Sequence, residues 1–448
     1  MQRNGFSGAV FALAAAIAPA AHADEAALQA QIAALRAELA ALKDEVRQMH
    51  GERSPAATSA VTASPGAATT TSSGQPAVAT ATVTAAAAAP VAVPAATTFW
   101  GYGQLDYTRP AGHPHDTQAD LTRAVIGFNH VFDESTRVYG EIEWEHAIAS
   151  ADDAGETEIE QLYIEHALAP AYGVRAGLML VPLGLLNEHH EPSHFYGVER
   201  NFVETAIIPS TWREGGVALY GNTDAGLGWN VGIGTGPNLG NWDPASEEGR
   251  ASPLGSIHQE LQLAKAHDAA LFGALNWQGI PGLLVGGGAF TGKIGQATPD
   301  FPAQDARLLL AEAHLRWQPG PFDFSALYAR GTISDTQALN LTFLGQPTPV
   351  PKEFWGGYAQ GAWRALAWGQ SSLVPFLRYE AFNTGAQYAE QPQGLAAPPL
   401  PTERVWTAGV SYYLNPNVVF KADYRRFNRD DAELGYGNRF DLGIGFEF

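Results

Sequence analysis

The sequence predicts an all-β fold, a 16-stranded antiparallel transmembrane β-barrel preceded by a short coiled-coil helix and a disordered linker. Three observations carry that expectation. After Asp24 no stretch reaches the roughly 18–20 apolar residues that a membrane-spanning helix needs. From Phe99 onward, segment after segment alternates apolar and polar side chains. The chain then ends on a strand-like run whose apolar face reaches the last residue. In lipid every backbone polar group needs an internal partner, so a chain without spanning helices can cross only as a closed barrel.

Residues 1–23 are expected to be removed. Arg3 gives a weakly positive start, Ala9 to Ala21 is a short apolar stretch, and Ala21-His22-Ala23 offers a small-residue cleavage site ahead of Asp24. That is the anatomy of a secretory signal peptide.

Residues 24–53 predict a heptad helix. Leu28, Ile32, Leu35, Leu39, Leu42, Val46 and Met49 alternate spacings of four and three, with Glu38, Lys43, Glu45 and Arg47 on other faces. This narrow a/d seam favours a coiled coil over an amphipathic helix packed on its own domain. Residues 54–98 carry no charge and consist almost entirely of Ala, Thr, Ser, Pro, Val and Gly. With few large side chains to bury, they are expected to form a disordered tether.

Residues 99–448 are the barrel region. Val138, Gly140, Ile142 and Trp144 alternate with Arg137, Glu141, Glu143 and Glu145, and Glu158 and Glu160 open the following strand. Val418, Phe420, Ala422 and Tyr424 alternate with Val419, Lys421, Asp423 and Arg425. Such a period of two puts the two sets on opposite faces of a strand. Short turns at 133–135, 170–172, 222–224, 279–281, 318–320, 369–370 and 415–417 alternate with longer connectors near 109–120, 150–157, 184–212, 235–267, 292–305, 331–353, 384–402 and 429–436. Short periplasmic turns and long outer loops are the pattern of outer-membrane barrels. The stretch 257–267 is kept inside a long loop, because one more strand would break the even count. At the end, Phe440, Leu442, Ile444, Phe446 and Phe448 share one face, which a barrel turns toward lipid. Phe446 and Phe448 also resemble the terminal assembly signal of outer-membrane proteins.

The run Val174-Arg175-Ala176-Gly177-Leu178-Met179-Leu180, then Val181-Pro182-Leu183-Gly184, Asn187-Glu188-His189-His190-Glu191-Pro192, Phe195 to Asn201, and Ile207-Ile208-Pro209-Ser210-Thr211-Trp212-Arg213-Glu214-Gly215-Gly216-Val217 resembles the phosphate-selective porin O and P family of Gram-negative bacteria. The resemblance implies a 16-stranded, usually trimeric, multi-pass outer-membrane porin that embeds in lipid through the barrel-assembly machinery. It also implies a long third loop folded into the lumen. The 184–212 connector is the candidate for that loop, with Glu188, His189, His190, Glu191, Glu199 and Arg200 as constriction residues.

The arginine and lysine ladder that a phosphate path implies is not matched. The formal charge is -20, and Lys265, Lys293, Lys352 and Lys421 are the only lysines of 99–448. Arg137, Arg316, Arg330, Arg378 and Arg425 fall on polar faces and are candidates for a local basic ring, and Lys421 and Asp423 are further lumen candidates. Against them stand Glu141, Glu143, Glu145, Glu158 and Glu160, which either favour cations in the lumen or merely keep the wall wet. The expectation is passive diffusion of small hydrophilic solutes or ions, broad or weakly cation-preferring. An anion- or phosphate-selective pore is the alternative, as is a barrel that anchors a periplasm-spanning tether whose helix contacts the cell wall.

The acidic balance argues against nucleic-acid binding. The absence of cysteine removes disulfides and thiolate metal sites. His190-Glu191-Pro192-Ser193-His194 spells the H-E-x-x-H zinc motif, but that chemistry needs a helix and Pro192 disrupts one, so no metal, cofactor or catalytic residue is expected here. Glu141 and Glu143 could serve glycoside hydrolysis only under a sugar pocket. A non-enzyme is therefore expected.

Overall fold

The computed structural model describes residues 96–448 except 151–152, 393 and 429–436. The signal segment and the heptad helix with its Leu28, Ile32, Leu35, Leu39, Leu42, Val46 and Met49 lie outside the described residues. The barrel begins slightly ahead of Phe99: Ala96, Thr97 and Thr98 already pair with Val131, His130 and Asn129, so strand structure takes the end of the expected linker.

The strands are β1 (Ala96–Pro110), β2 (Gln118–Val131), β3 (Thr136–Glu145), β4 (Thr157–Ala169), β5 (Tyr172–Leu180) and β6 (Arg213–Asn222). Then come β7 (Leu227–Gly234), β8 (Ala270–Ile280), β9 (Leu283–Lys293), β10 (Arg307–Trp317), β11 (Phe322–Ile333) and β12 (Glu353–Trp363). The last are β13 (Leu366–Trp368), β14 (Ser371–Gln387), β15 (Glu403–Asn415), β16 (Val418–Phe427) and β17 (Arg439–Glu447). β13 is a three-residue continuation of β12 that pairs only with β14, while β12 also pairs with β14 directly. β12 and β13 therefore form one stave, and the barrel has 16.

Each of the 16 staves pairs antiparallel with the staves before and after it in sequence. The ladder closes where β1 meets β17, from Tyr102 opposite Glu447 to Pro110 opposite Arg439. Gly101 and Phe448 exchange backbone hydrogen bonds at 3.2 and 2.9 Å at the seam. No edge is left, the condition for a sheet in lipid. The 257–267 stretch forms turns and no strand.

The outward faces hold exposed Ile164, Val217, Leu219, Ile233, Leu275, Leu377, Leu442 and Ile444. An apolar belt of this size is expelled by water and solvated by acyl chains. Toward the short turns it grades into rings, with Phe322 against Trp363 at 6.3 Å and Trp368 against Tyr412 at 5.9 Å. These form part of an aromatic girdle.

Inside, much of the bore is filled. Val181, Leu183, Phe202, Val203, Ile207, Ile208 and Trp212 pack with Phe290, Leu308, Leu310, Phe354 and Phe382 of the wall. Leu239, Trp242, Leu254 and Ile257, from the connector between β7 and β8, join the same cluster. This explains why β10 reads apolar on both faces: Leu309 meets lipid while Leu308 and Leu310 meet the inserted chain.

Candidate functional site

The connector between β5 and β6 turns back into the barrel because its ends are clasped. Asn187 Nδ2 donates to the carbonyls of Val181 and Trp212 at 2.7 and 2.8 Å, and Asn187 Oδ1 accepts from the Trp212 amide at 2.7 Å. Glu204 then receives the amides of Leu185 and Leu186 at 2.6 and 2.8 Å and the hydroxyl of Tyr358 at 2.9 Å. Gly184, with φ of +80°, makes this possible: a Cβ there would stand 2.5 Å from Glu204 Oε1.

Beyond the clasp the loop has no ladder, yet a buried backbone needs partners. Charged wall side chains supply them. Arg123 donates to the carbonyl of His190 at 2.5 Å, Tyr413 to that of Ser193 at 3.2 Å, Lys421 to that of Phe195 at 2.9 Å and Arg378 to that of Tyr196 at 3.3 Å. Asp423 accepts the amide of Val198 at 2.6 Å, and Glu380 accepts that of Phe202 at 2.6 Å. Glu199 pairs with Arg425 at 3.3 Å and with Arg439. The loop thus runs from the β5–β6 wall to strands β12–β17 and β1–β2, across the bore.

The predicted residues divide accordingly. Arg378, Lys421, Asp423 and Arg425 face inward but are buried under the loop and committed to it or to neighbours, as Arg378 is to Glu380 at 2.8 Å. Glu141, Glu143 and Glu160 are likewise buried against the loop rather than lining open water. Glu158 pairs with Arg213, which also reaches Glu260 at 2.8 Å, and Glu145 is half-buried. Arg137 faces inward and meets Glu165 at 3.4 Å. Arg330 differs from the sequence reading: it shares the outward face with Phe324 and Tyr328 and pairs with Glu353 at 2.7 Å. Its position at the long-loop end of β11, beside Glu353, satisfies the charge without the lumen.

Among the loop residues, Glu188 lies 3.8 Å from Arg175, and Arg200 donates to Thr211 at 3.1 Å. Burial pulls the Arg200 guanidinium down to about 10. His190 is buried, while His189 and His194 face a cavity. Glu191 Oε2 stands 2.8 Å from His194 Nδ1, and this neighbour, against the opposing effect of burial, holds the Glu191 carboxyl down at about 2.

That cavity, about 740 Å³, opens among the short turns and is lined by His189, His194, Tyr196, Arg316, Asp323, Arg364 and Tyr413. Arg316 is held by Asp323 at 2.7 Å. Tyr196 and Arg316 also line a separate, smaller crevice of about 30 Å³, together with Leu186, Asn201, Gln360 and Arg378. A cavity beside the loop lined by both signs of charge is an arrangement that can sieve solutes by size and charge.

The sequence reading missed Tyr102, Arg123, Asn187, Glu204 and Glu380. Arg123 and Glu380 sit on inward-alternating faces that period-two counting could have flagged. Asn187 lies inside the family-like run. Glu204 has one local partner, Asn201 three residues earlier, but the contacts that clasp the loop reach Leu186 and Tyr358, 18 and 154 residues away.

No family model matches the chain. An uncharacterized protein of Aquifex aeolicus (strain VF5) is 30% identical over 345 residues, covering 74% of this chain and 76% of that protein. Among solved structures, OmpF of Salmonella typhi, in complex with daunomycin, aligns with a TM-score of 0.56 at 16% identity over 79% of this chain and 97% of that one. The outer membrane channel DcaP of Acinetobacter baumannii aligns at 0.52 and 14% identity, over 79% and 97%. The barrel is therefore of the outer-membrane type.

Proposed function

The chain belongs to the family of the Aquifex aeolicus protein, and from its closed barrel and seated loop we propose an outer-membrane porin through which small hydrophilic solutes and ions diffuse passively. The observation that carries this reading is the cavity of about 740 Å³ beside the loop, lined by Tyr196 and Arg316 among others. The passage is broad in selectivity with a weak cation preference, and the carboxylates responsible are at the outer rim. Exposed Asp116, Asp153, Glu156, Asp243, Glu247, Glu248, Asp300, Asp305, Asp335 and Glu390 occupy the long connectors, where the described exposed cations Arg109, Lys265 and Lys352, with Arg307 beside them, are fewer, although Asp305 is paired with Lys293 at 2.7 Å. A rim of one sign raises the local concentration of the other.

The 174–217 run supports kinship with the phosphate-selective porin O and P family, and with it a trimer. Phosphate selectivity itself has less support, because the inward arginines Arg378 and Arg425 already bind carboxylates and the loop. Bilayer recordings of the purified protein in a salt gradient test the whole proposal. Discrete channels with a small cation-sided reversal potential are expected. Strong anion selectivity, or conductance saturating with phosphate, overturns the selectivity, and absence of conductance overturns the porin.

A further inference from the structure

His190 meets the acidic face of β3 and β4 in a way that the passage does not use. Its side chain is 4% exposed. Nδ1 lies 3.0 Å from the carbonyl oxygen of Asn187, which can only accept, so Nδ1 carries a proton. In the neutral ring that leaves the Nε2 lone pair turned to the wall, where it accepts from the Tyr102 hydroxyl at 2.8 Å, the contact that a cation would replace. There Nε2 stands 3.8 Å from Glu141 Oε1 and 3.6 Å from Glu160 Oε2. The ligand-capable atoms of the three residues lie within 4.8 Å of one another.

A second observation shows a demand for positive charge at this place. The Glu160 side chain is 0% exposed, and its Oε1 is buried without a hydrogen bond. Oε1 of Glu143, on the same inward face, is buried without one too. A buried carboxylate oxygen left unpartnered is costly unless a cation or a proton reaches it. Arg123 spends Nη2 on the His190 carbonyl and on Gln104, and its Nη1 is buried without a hydrogen bond to either carboxylate. Tyr102, 2.8 Å from Nε2 and 3.3 Å from Glu160, has one proton for two acceptors.

We propose that Glu141, Glu160 and His190 bind one divalent cation of the zinc class, which fastens the constriction loop to β3 and β4. One imidazole and two carboxylates make a nitrogen–oxygen donor set suited to such ions. Tetrahedral bonds of about 2.1 Å put ligand atoms roughly 3.4 Å apart, close to the separations from Nε2 to the two carboxylates. The bond from Nδ1 to a backbone carbonyl is the outer support that zinc-binding imidazoles commonly have. The site departs from the expectation of no metal along His190–His194, and it is not the H-E-x-x-H constellation. His194 turns away, to Glu191 at 2.8 Å and Glu447 at 3.6 Å. The inference rests on the loop's seat alone, whatever the channel's solute.

The test uses the untagged full chain in detergent, stripped with chelator, loaded with Zn2+ and dialysed, with metal counted by elemental analysis. One equivalent is expected for the unaltered protein and for H194Q, and almost none for H190Q and E160Q. Heat-modifiable gel mobility identifies variants whose barrel still closes, and only those are compared. Zn2+ added to the stripped, unaltered protein is expected to slow proteolysis of the loop severalfold, a readout that needs no substitution. No retained zinc in the folded, unaltered protein overturns the site. So does equal retention in H190Q and E160Q, and so does loss in H194Q, which would place the ion on the loop histidines instead.

Discussion

Asp423 on β16 accepts the backbone amide of Val198 at 2.6 Å, joining residues 225 apart in sequence and holding the middle of the inserted loop to the far wall. D423A leaves that amide buried without a partner, at a cost of about 1–3 kcal/mol. The barrel ladder is untouched, so the cost falls on the seated loop, whose unseated population rises roughly 5- to 150-fold. Single-channel recordings would show greater current noise and a higher mean conductance, with unchanged heat-modifiability of the barrel. A variant as quiet as the parent would show that Asp423 holds nothing.

Glu199 makes loop seating depend on pH. Burial pushes its carboxyl up, but the Arg425 and Arg439 guanidinia overcome this and hold it below the usual carboxylate range. Asp423, Asp441, Asp106 and Arg378 are the other charged groups around it. A carboxyl whose folded pKa is depressed contributes stability above its unfolded value, and that contribution is lost as pH falls through the folded one. The loop should therefore be quiet at neutral pH and grow noisy in acid, below about pH 4. E199Q should be noisy at neutral pH and lose most of the acid response. An acid response identical in E199Q would assign it to other groups.

The barrel was legible from the sequence because its cause is local. Lipid on one side and inserted chain or water on the other impose a period of two, as in Val138 to Glu145 and Val418 to Arg425. The turn and loop lengths then follow the two membrane faces. The seat of the loop was legible only as a resemblance over 174–217. Its actual bonds, Asp423 to Val198 or Glu380 to Phe202, join residues far apart, and no spacing rule reaches them. The acidic face of β3 was seen, but not that the loop would cover it. Alternation tells which way Glu141 points and says nothing about what arrives opposite. Arg330 shows the converse limit, since near a strand end a charge can face outward when Glu353 stands beside it.

Barrel closure should depend on the last residue. Phe448 exchanges two backbone hydrogen bonds with Gly101 at the seam, and its exposed ring lies on the outward side. Deleting Phe448 removes both bonds, each worth about 0.5–1.5 kcal/mol net, and also the terminal aromatic ring. F448A keeps the bonds and removes only the ring. If the ring serves recognition during assembly, both variants reduce the folded yield in cells, while F448A refolds normally in detergent. Equal loss in detergent would place the effect in the seam instead.

Charge selectivity should follow the rim and the cavity beside the loop more than the acidic wall of β3 and β4. Asp243, Glu247 and Glu248 are exposed on the connector between β7 and β8, whereas Glu143 is buried behind the loop and sees no open solution. Exposed charges act through a Debye length of about 8–10 Å, so each shifts the local potential only modestly. Neutralising the three rim acids together should lower the cation-to-anion permeability ratio by less than about threefold, more strongly at low salt. R364A, which removes an exposed cation from that cavity, should move the ratio the other way. E143Q should move it less than either. Reversal potentials at two ionic strengths separate the possibilities. A dominant effect of E143Q would mean that solutes pass on the β3 side of the loop, against a path along the cavity that Tyr196 and Arg316 line.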